Sequence, residues 1–254
     1  MFNQRSHKRN FRPMLATMLA SGAMLLAAAQ PASAQTATKG QDPAQKTALI
    51  PFAARVQACA ACHGAQGEGT KNDYFPRLAG KPAGYLYNQL VSFREGHRKY
   101  PPMNYLTTYM SDDFLHQIAA YYSNLHTPYP APEPTKVSAA VLARGQDLVL
   151  HGDAANGVPA CAACHGATLG GMQPAIPGLL GLHTDYISAQ LGAWRSGNRQ
   201  AIAPDCMHTV AAHLTDDDVY AVANWLAAQA APQKASPLPA GTQKLPLACG
   251  SEVQ

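Results

Sequence analysis

The segment Cys59-Ala60-Ala61-Cys62-His63-Gly64-Ala65 returns residue for residue as Cys161-Ala162-Ala163-Cys164-His165-Gly166-Ala167, at an offset of 102. The match continues in blocks. Pro76, Leu78 and Gly80 answer Pro177, Leu179 and Gly181, while Tyr85, Gln89-Leu90, Arg94, Gly96 and Arg98 answer Tyr186, Gln190-Leu191, Arg195, Gly197 and Arg199, each 101 apart. Met103, Met110, Asp112, Asp113 and Tyr121 then align with Met207, Leu214, Asp216, Asp217 and Trp225 at an offset of 104. Small length changes fall between the blocks, as loop insertions should. Two copies of this length are a duplicated domain and not a solenoid, because each can bury a core of its own.

The chain of 254 residues then divides as follows. Residues 1–34 place Arg5, Lys8, Arg9 and Arg12 before the apolar run Met14 to Ala29 and a small-residue stretch ending at Ala34. That layout is a secretory signal peptide; a retained anchor is the alternative, although the apolar run is shorter than the ~20 residues a span needs. Residues 35–127 and 137–231 are the two copies. Alternating prolines at 128, 130, 132 and 134 forbid a regular helix and make 128–136 an extended linker. Residues 232–254, rich in Pro, Ala, Ser and Gly, read as an irregular tail.

Removing the leader leaves fifteen basic and fifteen acidic side chains, so nothing in the charge points to nucleic acid. The charge is uneven, however: residues 35–130 carry nine basic and six acidic side chains, residues 131–254 six and nine. Such a separation can orient a molecule towards a charged partner.

Within each copy the pattern is helical. One short helix is expected at each cysteine motif, a second over Ala83 to Arg94 and Thr184 to Arg195, and a third beginning at Asp112 or Asp216 behind the N-caps Ser111 and Thr215. Leu115, Ile118, Ala119 and Tyr122 recur at helical spacing, as do Val219, Val222, Ala223 and Leu226, and both sets should face a core. Strand signals are sparse. The expected class is all-α.

Cys-x-x-Cys-His is the attachment sequence of c-type haem. Cysteines three apart share one face of a helical turn, where both sulfurs can form thioethers to one porphyrin. The next residue, His63 or His165, can then present a ring nitrogen to the iron. A zinc site would want a second matched ligand pair and a redox dithiol a thioredoxin-like context, and neither is found here. Cys59, Cys62, Cys161 and Cys164 therefore read as the attachment points of two haem c groups. The repeat nominates the other axial ligands, Met103 and Met207, which stand 40 and 42 residues beyond their histidines. Met110 is a rival in the first copy, but its counterpart is Leu214. Met172 and the remaining histidines have no aligned counterparts and read as packing or solvated side chains.

Cys206 and Cys249 remain, and in an oxidising compartment a disulfide tying the tail beside Met207 is expected, with two free thiols as the alternative. Arg94, Arg98, Arg195 and Arg199 recur with their glycines; one arginine of each set is a candidate to pair with the haem propionates, since a buried charge needs a partner, and exposed helix-end arginines are the alternative.

The paired Cys-x-x-Cys-His-Gly motifs, the Gln-Leu-x-x-Phe/Trp-Arg-x-Gly-x-Arg blocks and the Met-x6-Met/Leu-Ser/Thr-Asp-Asp endings resemble the dihaem class I cytochromes of the cytochrome c4 family. The resemblance implies two tandem cytochrome c-like domains facing each other through their haem edges, with histidine and methionine at both irons. It also implies a periplasmic electron carrier rather than an enzyme, with a terminal oxidase as acceptor. The donor would be a quinol–cytochrome c reductase or a dehydrogenase, and no small-molecule substrate or nucleic acid is called for. The prolines and tyrosine around Met103 and the Cys206/Cys249 pair depart from the family core and keep a second expectation open: a subunit docked to a dehydrogenase complex. A dihaem peroxidase or gas sensor would need an iron with a vacant ligand, which two aligned methionines oppose.

Overall fold

Two of the expected helices begin where a hydroxyl can satisfy the orphan amides of a first turn. The Ser111 hydroxyl accepts from the Phe114 amide at 3.3 Å, and Thr215 forms a reciprocal box with Asp218, the two side chains each accepting from the other's backbone N–H at 3.1 and 3.2 Å. The acidic residues that follow suit the positive end of each helix dipole.

The computed structural model describes residues 51–252, apart from 73 and 233–235. The expected leader lies outside the described residues. In the first half the helices are α1 (Phe52–Arg55), α2 (Gln57–His63), α3 (Ala83–Arg94), α4 (Pro101–Thr107) and α5 (Asp112–Ser123); in the second, α6 (Ala139–Leu150), α7 (Ala162–His165), α8 (Thr184–Arg195), α9 (Cys206–His213) and α10 (Asp216–Ala227). Among the described residues no helix is long and apolar enough to cross a membrane.

The helical stripes do face cores. Leu115, Ile118, Ala119 and Tyr122 are buried with Val56 and Leu86, and Val219, Val222, Ala223 and Leu226 are buried with Leu148, Val149 and Leu191. Pairs α3/α5 and α8/α10 form corresponding cores, and α6 crosses α10 closely. Gly145 makes that crossing possible, because a Cβ there would strike the Ala221 carbonyl.

The fold adds three things to the sequence reading. The methionine segments are helical, as α4 and α9. A small hairpin, β1 (Gly171–Met172) with β2 (Ile176–Pro177), follows the second cysteine motif, and the tail joins it: Leu238 N donates to Gly171 O and Gln173 N to Leu238 O, both at 2.8 Å. Met172 lies beneath, 1% exposed, so its role is packing.

The described residues belong to one compact unit, and the two halves within it are joined by a near-symmetrical seam. Arg98 and Arg199 pair as an antiparallel bridge, flanked by Lys99 N to Asn198 O at 2.8 Å and Gln200 N to His97 O at 2.9 Å. Each guanidinium reaches both halves. Arg98 donates to Gln89, Gln190 and Tyr186; Arg199 donates to Gln190, Gln89 and Tyr85. The linker is pinned too, with Arg77 donating to the carbonyls of Thr127 and Pro128 at 2.6 and 2.9 Å and Glu133 accepting from Thr184 and contacting His183.

Candidate functional site

A helical turn at the end of α2 carries Cys59, Cys62 and His63, and the corresponding turn at α7 carries Cys161, Cys164 and His165. Glycine follows each histidine with φ of 88° and 83°, a backbone region that favours glycine and lets the chain turn away at once. The motif cysteines are not bridged to one another. Burial pushes the Cys59 and Cys164 thiols up and carries Cys161 to about 11, the reverse of what a reactive dithiol requires.

Both histidines are buried and oriented alike. His63 Nδ1 lies 2.9 Å from Pro76 O and His165 Nδ1 2.7 Å from Pro177 O. A carbonyl can only accept, so Nδ1 carries the proton in each ring and Nε2 keeps its lone pair for a metal. Burial lowers the His63 pKa and takes that of His165 to about 4, which keeps both imidazoles neutral.

One largely apolar cavity of about 860 Å³ runs between these turns. Its wall includes all four motif cysteines, His63, His165, Met103 and Met207; among the described residues no other histidine reaches it. Met110 and Leu214 line it at matching positions, so Met110 remains within the cavity as a second thioether of the first half.

The wall also holds polar groups suited to an anion. Asn88 Nδ2 and Trp194 Nε1 are buried donors with no partner among the described residues. Arg98, Arg199 and Lys81 are buried, at 8%, 4% and 6% exposure. None of the three makes an ion pair with a carboxylate among the described residues, although Asp185 and Glu252 also line the wall. Thiols, ring nitrogens, thioethers and unpaired donors together fit a porphyrin with acidic side arms.

The two arginines of each set part company in the structure. Arg94 donates to Asp112 at 2.7 Å and to Met110 O at 3.1 Å, and Arg195 pairs with Asp216. Neither lines the cavity, because both sit at the exposed ends of α3 and α8, where the first-turn aspartates of α5 and α10 meet them. Arg98 and Arg199 do line it, each lying over an aromatic ring, Phe93 at 4.6 Å and Trp194 at 3.7 Å.

Cys206 and Cys249 are joined as a disulfide, with Cα atoms 5.1 Å apart. Cys206 opens α9, directly before Met207, and Cys249 with Leu247 brings the tail to the cavity wall.

The Cytochrome c family model matches this chain twice, over residues 52–126 and 142–230. The chain belongs to the cytochrome c family. It is 43% identical over 188 residues to the thiosulfate dehydrogenase electron acceptor of Thiomonas intermedia (strain K12), a match covering 74% of this chain and 84% of that protein. Reduced cytochrome c4 from Pseudomonas stutzeri superposes with a TM-score of 0.61 at 31% identity, covering 69% of this chain and 95% of that one. A thiosulfate dehydrogenase (TsdBA) from Marichromatium purpuratum matches at TM-score 0.61 and 35% identity; 66% of this chain is covered, but only 36% of that one. This cytochrome is thus a dihaem class I protein of the c4 kind, with two covalently bound haem c groups and an electron-transfer role.

Lys81 and Asn88 escaped the sequence reading, because their counterparts are Leu182 and Ala189 and a comparison of the copies hides them. Trp194 was visible as the Phe/Trp place of the repeated block, without a role. Tyr85, Gln89, Tyr186 and Gln190 were visible in the repeat, but only the folded seam shows what they bond.

Proposed function

We propose that Cys59, Cys62 and His63 would hold the first haem and Cys161, Cys164 and His165 the second, with Met103 and Met207 supplying the other ligand of each iron. The observation that carries this reading is the shared cavity, whose wall gathers all eight side chains. Bound iron supplies one-electron chemistry. The chain's part is to fix two neutral imidazoles through Pro76 and Pro177, to exclude water with apolar walls, and to offer a thioether to each iron that would be bound. Arg98 and Arg199 neutralise propionates, and Cys206 and Cys249 are bridged in the mature protein.

The chain is exported to the periplasm by cleavage after Ala34. There it receives electrons from a dehydrogenase, and the 43% identity to a thiosulfate dehydrogenase electron acceptor favours a thiosulfate-oxidising donor. A terminal oxidase is the acceptor. Likeness to cytochrome c4 supports the second reading, a mobile carrier reduced by a quinol–cytochrome c reductase.

Two measurements test these assignments. The purified holoprotein should contain two haems per chain and leave its reduced spectrum unchanged under carbon monoxide, whereas Met103→Ala and Met207→Ala should each open one of the two irons to the gas. A wild type that binds carbon monoxide defeats the ligand assignment. Thiosulfate with a thiosulfate dehydrogenase should reduce both haems; reduction only by a quinol–cytochrome c reductase would select the second reading.

A further inference from the structure

Lys81 lies at the seam between the halves, and the repeat does not explain it. It belongs to the first half, immediately before α3, yet its ammonium donates to the Gly178 carbonyl of the second half. Gly178 follows Pro177, whose carbonyl orients His165. The equivalent residue of the second half is Leu182, which packs against the apolar core, so this position returns no cation across the seam.

An ammonium carries three protons to donate. Among the described residues Lys81 places one, on a neutral carbonyl, while 6% exposed and without an ion pair. A buried cation satisfied to this extent is costly unless an anion shares the space. The cavity it lines is the one assigned to the haems, and a porphyrin brings two carboxylates to each site.

We propose that Lys81 pairs with a propionate of the second haem, so that the first half supplies a positioning charge for the redox centre of its neighbour. The inference rests on the haem assignment above. Its consequence is electrostatic. A cation fixed near one iron favours the reduced state of that iron, and Leu182 makes no matching contribution to the other. Burial brings the lysine's pKa down to about 8, which leaves the ammonium form in the majority at neutral pH.

The test is a potentiometric titration of the two-haem holoprotein, comparing wild type with Lys81→Met and Lys81→Arg. The two steps are assigned beforehand by Met103→His and Met207→His, each of which lowers the potential of its own haem. Lys81→Met should move the electron-sharing equilibrium about tenfold away from the second haem, ~59 mV for a one-electron couple, with the first haem nearly unmoved. Lys81→Arg should keep the wild-type separation. Unchanged potentials in Lys81→Met, equal shifts at both haems, or a shift confined to the first haem would each overturn the proposal. If Lys81→Met does not retain two haems, Lys81→Gln is titrated against the same outcomes. A haem assay on the wild type reports separately on the underlying assignment: fewer than two haems per chain would defeat that reading, whatever the potentials.

Discussion

The two methionine helices occupy equivalent places in the duplication and are held by unrelated means. In the first half, α4 opens on Pro101 and Pro102 and contains no charged residue. Asn104 organises it, donating to Phe93 O and Arg98 O at 2.6 and 2.8 Å and accepting from Tyr100 N at 2.8 Å. Tyr105 on its outer face and Tyr109 just past its end are exposed at 81% and 95%. In the second half, Asp205 caps α9 by accepting from His208 N at 3.0 Å and from Ala201 N at 2.7 Å, and the disulfide from Cys206 fastens the tail over it. Placing a thioether at a cavity wall therefore does not require a conserved local sequence. It requires that the turn before the methionine be locked, and a carboxamide or a carboxylate with a covalent tie can do so.

The largest expected effect that separates the two designs comes from the covalent tie. Cys206→Ser with Cys249→Ser opens a link spanning 43 residues and should cost about 2–4 kcal/mol. In denaturant, the second haem should lose its methionine before the first. Simultaneous loss at both haems, at an unaltered midpoint, would show that the tie contributes nothing particular to its own half. Asn104→Ala should do the converse, destabilising α4 by about 1–3 kcal/mol because it strands the Tyr100 amide and the Arg98 carbonyl. Its signature is a fall in the first haem's potential with the second unchanged.

The smallest effect concerns acid. Burial alone would raise the Asp218 carboxyl, but Arg144 at 2.8 Å and the Thr215 hydroxyl and amide outweigh it and hold the pKa below the usual carboxylate range. Because the folded value is depressed, the stabilisation is present above the unfolded pKa, about 3.9, and is lost as pH falls through the folded value. The first half has Phe114 at that place, so only the second should show this acid dependence. Asp218→Asn should lower stability at pH 7 by about 1 kcal/mol and flatten the unfolding midpoint of the second half below about pH 4; a slope that survives the substitution assigns the acid sensitivity to another group.

Much of this architecture was legible because the repeat constrained it twice. The ranges of α3 and α8 follow from apolar spacing, and the starts of α5 and α10 from Ser111 and Thr215, since helix signals of that kind are local. The helices α4 and α9 were not anticipated, because prolines before Met103 and a cysteine before Met207 gave two unlike patterns for one structural solution. Among the candidate site residues, Arg94 and Arg98 recur equally well in the sequence, yet only Arg98 turns inward. Helical direction and the position of Asp112 decide between them, and neither can be read from spacing. Lys81 was invisible for the opposite reason: a comparison of two copies reports what they share, and this residue matters for what one copy lends the other.

The crossed guanidinium bonding of Arg98 and Arg199 carries a consequence for the history and engineering of the molecule. Because each arginine serves a glutamine from either side, excising one half would strand donors and acceptors on the remaining piece, and altering one arginine would disturb both. What began as two interchangeable copies has become indivisible, and subdividing it would demand a redesigned surface where the other copy had been.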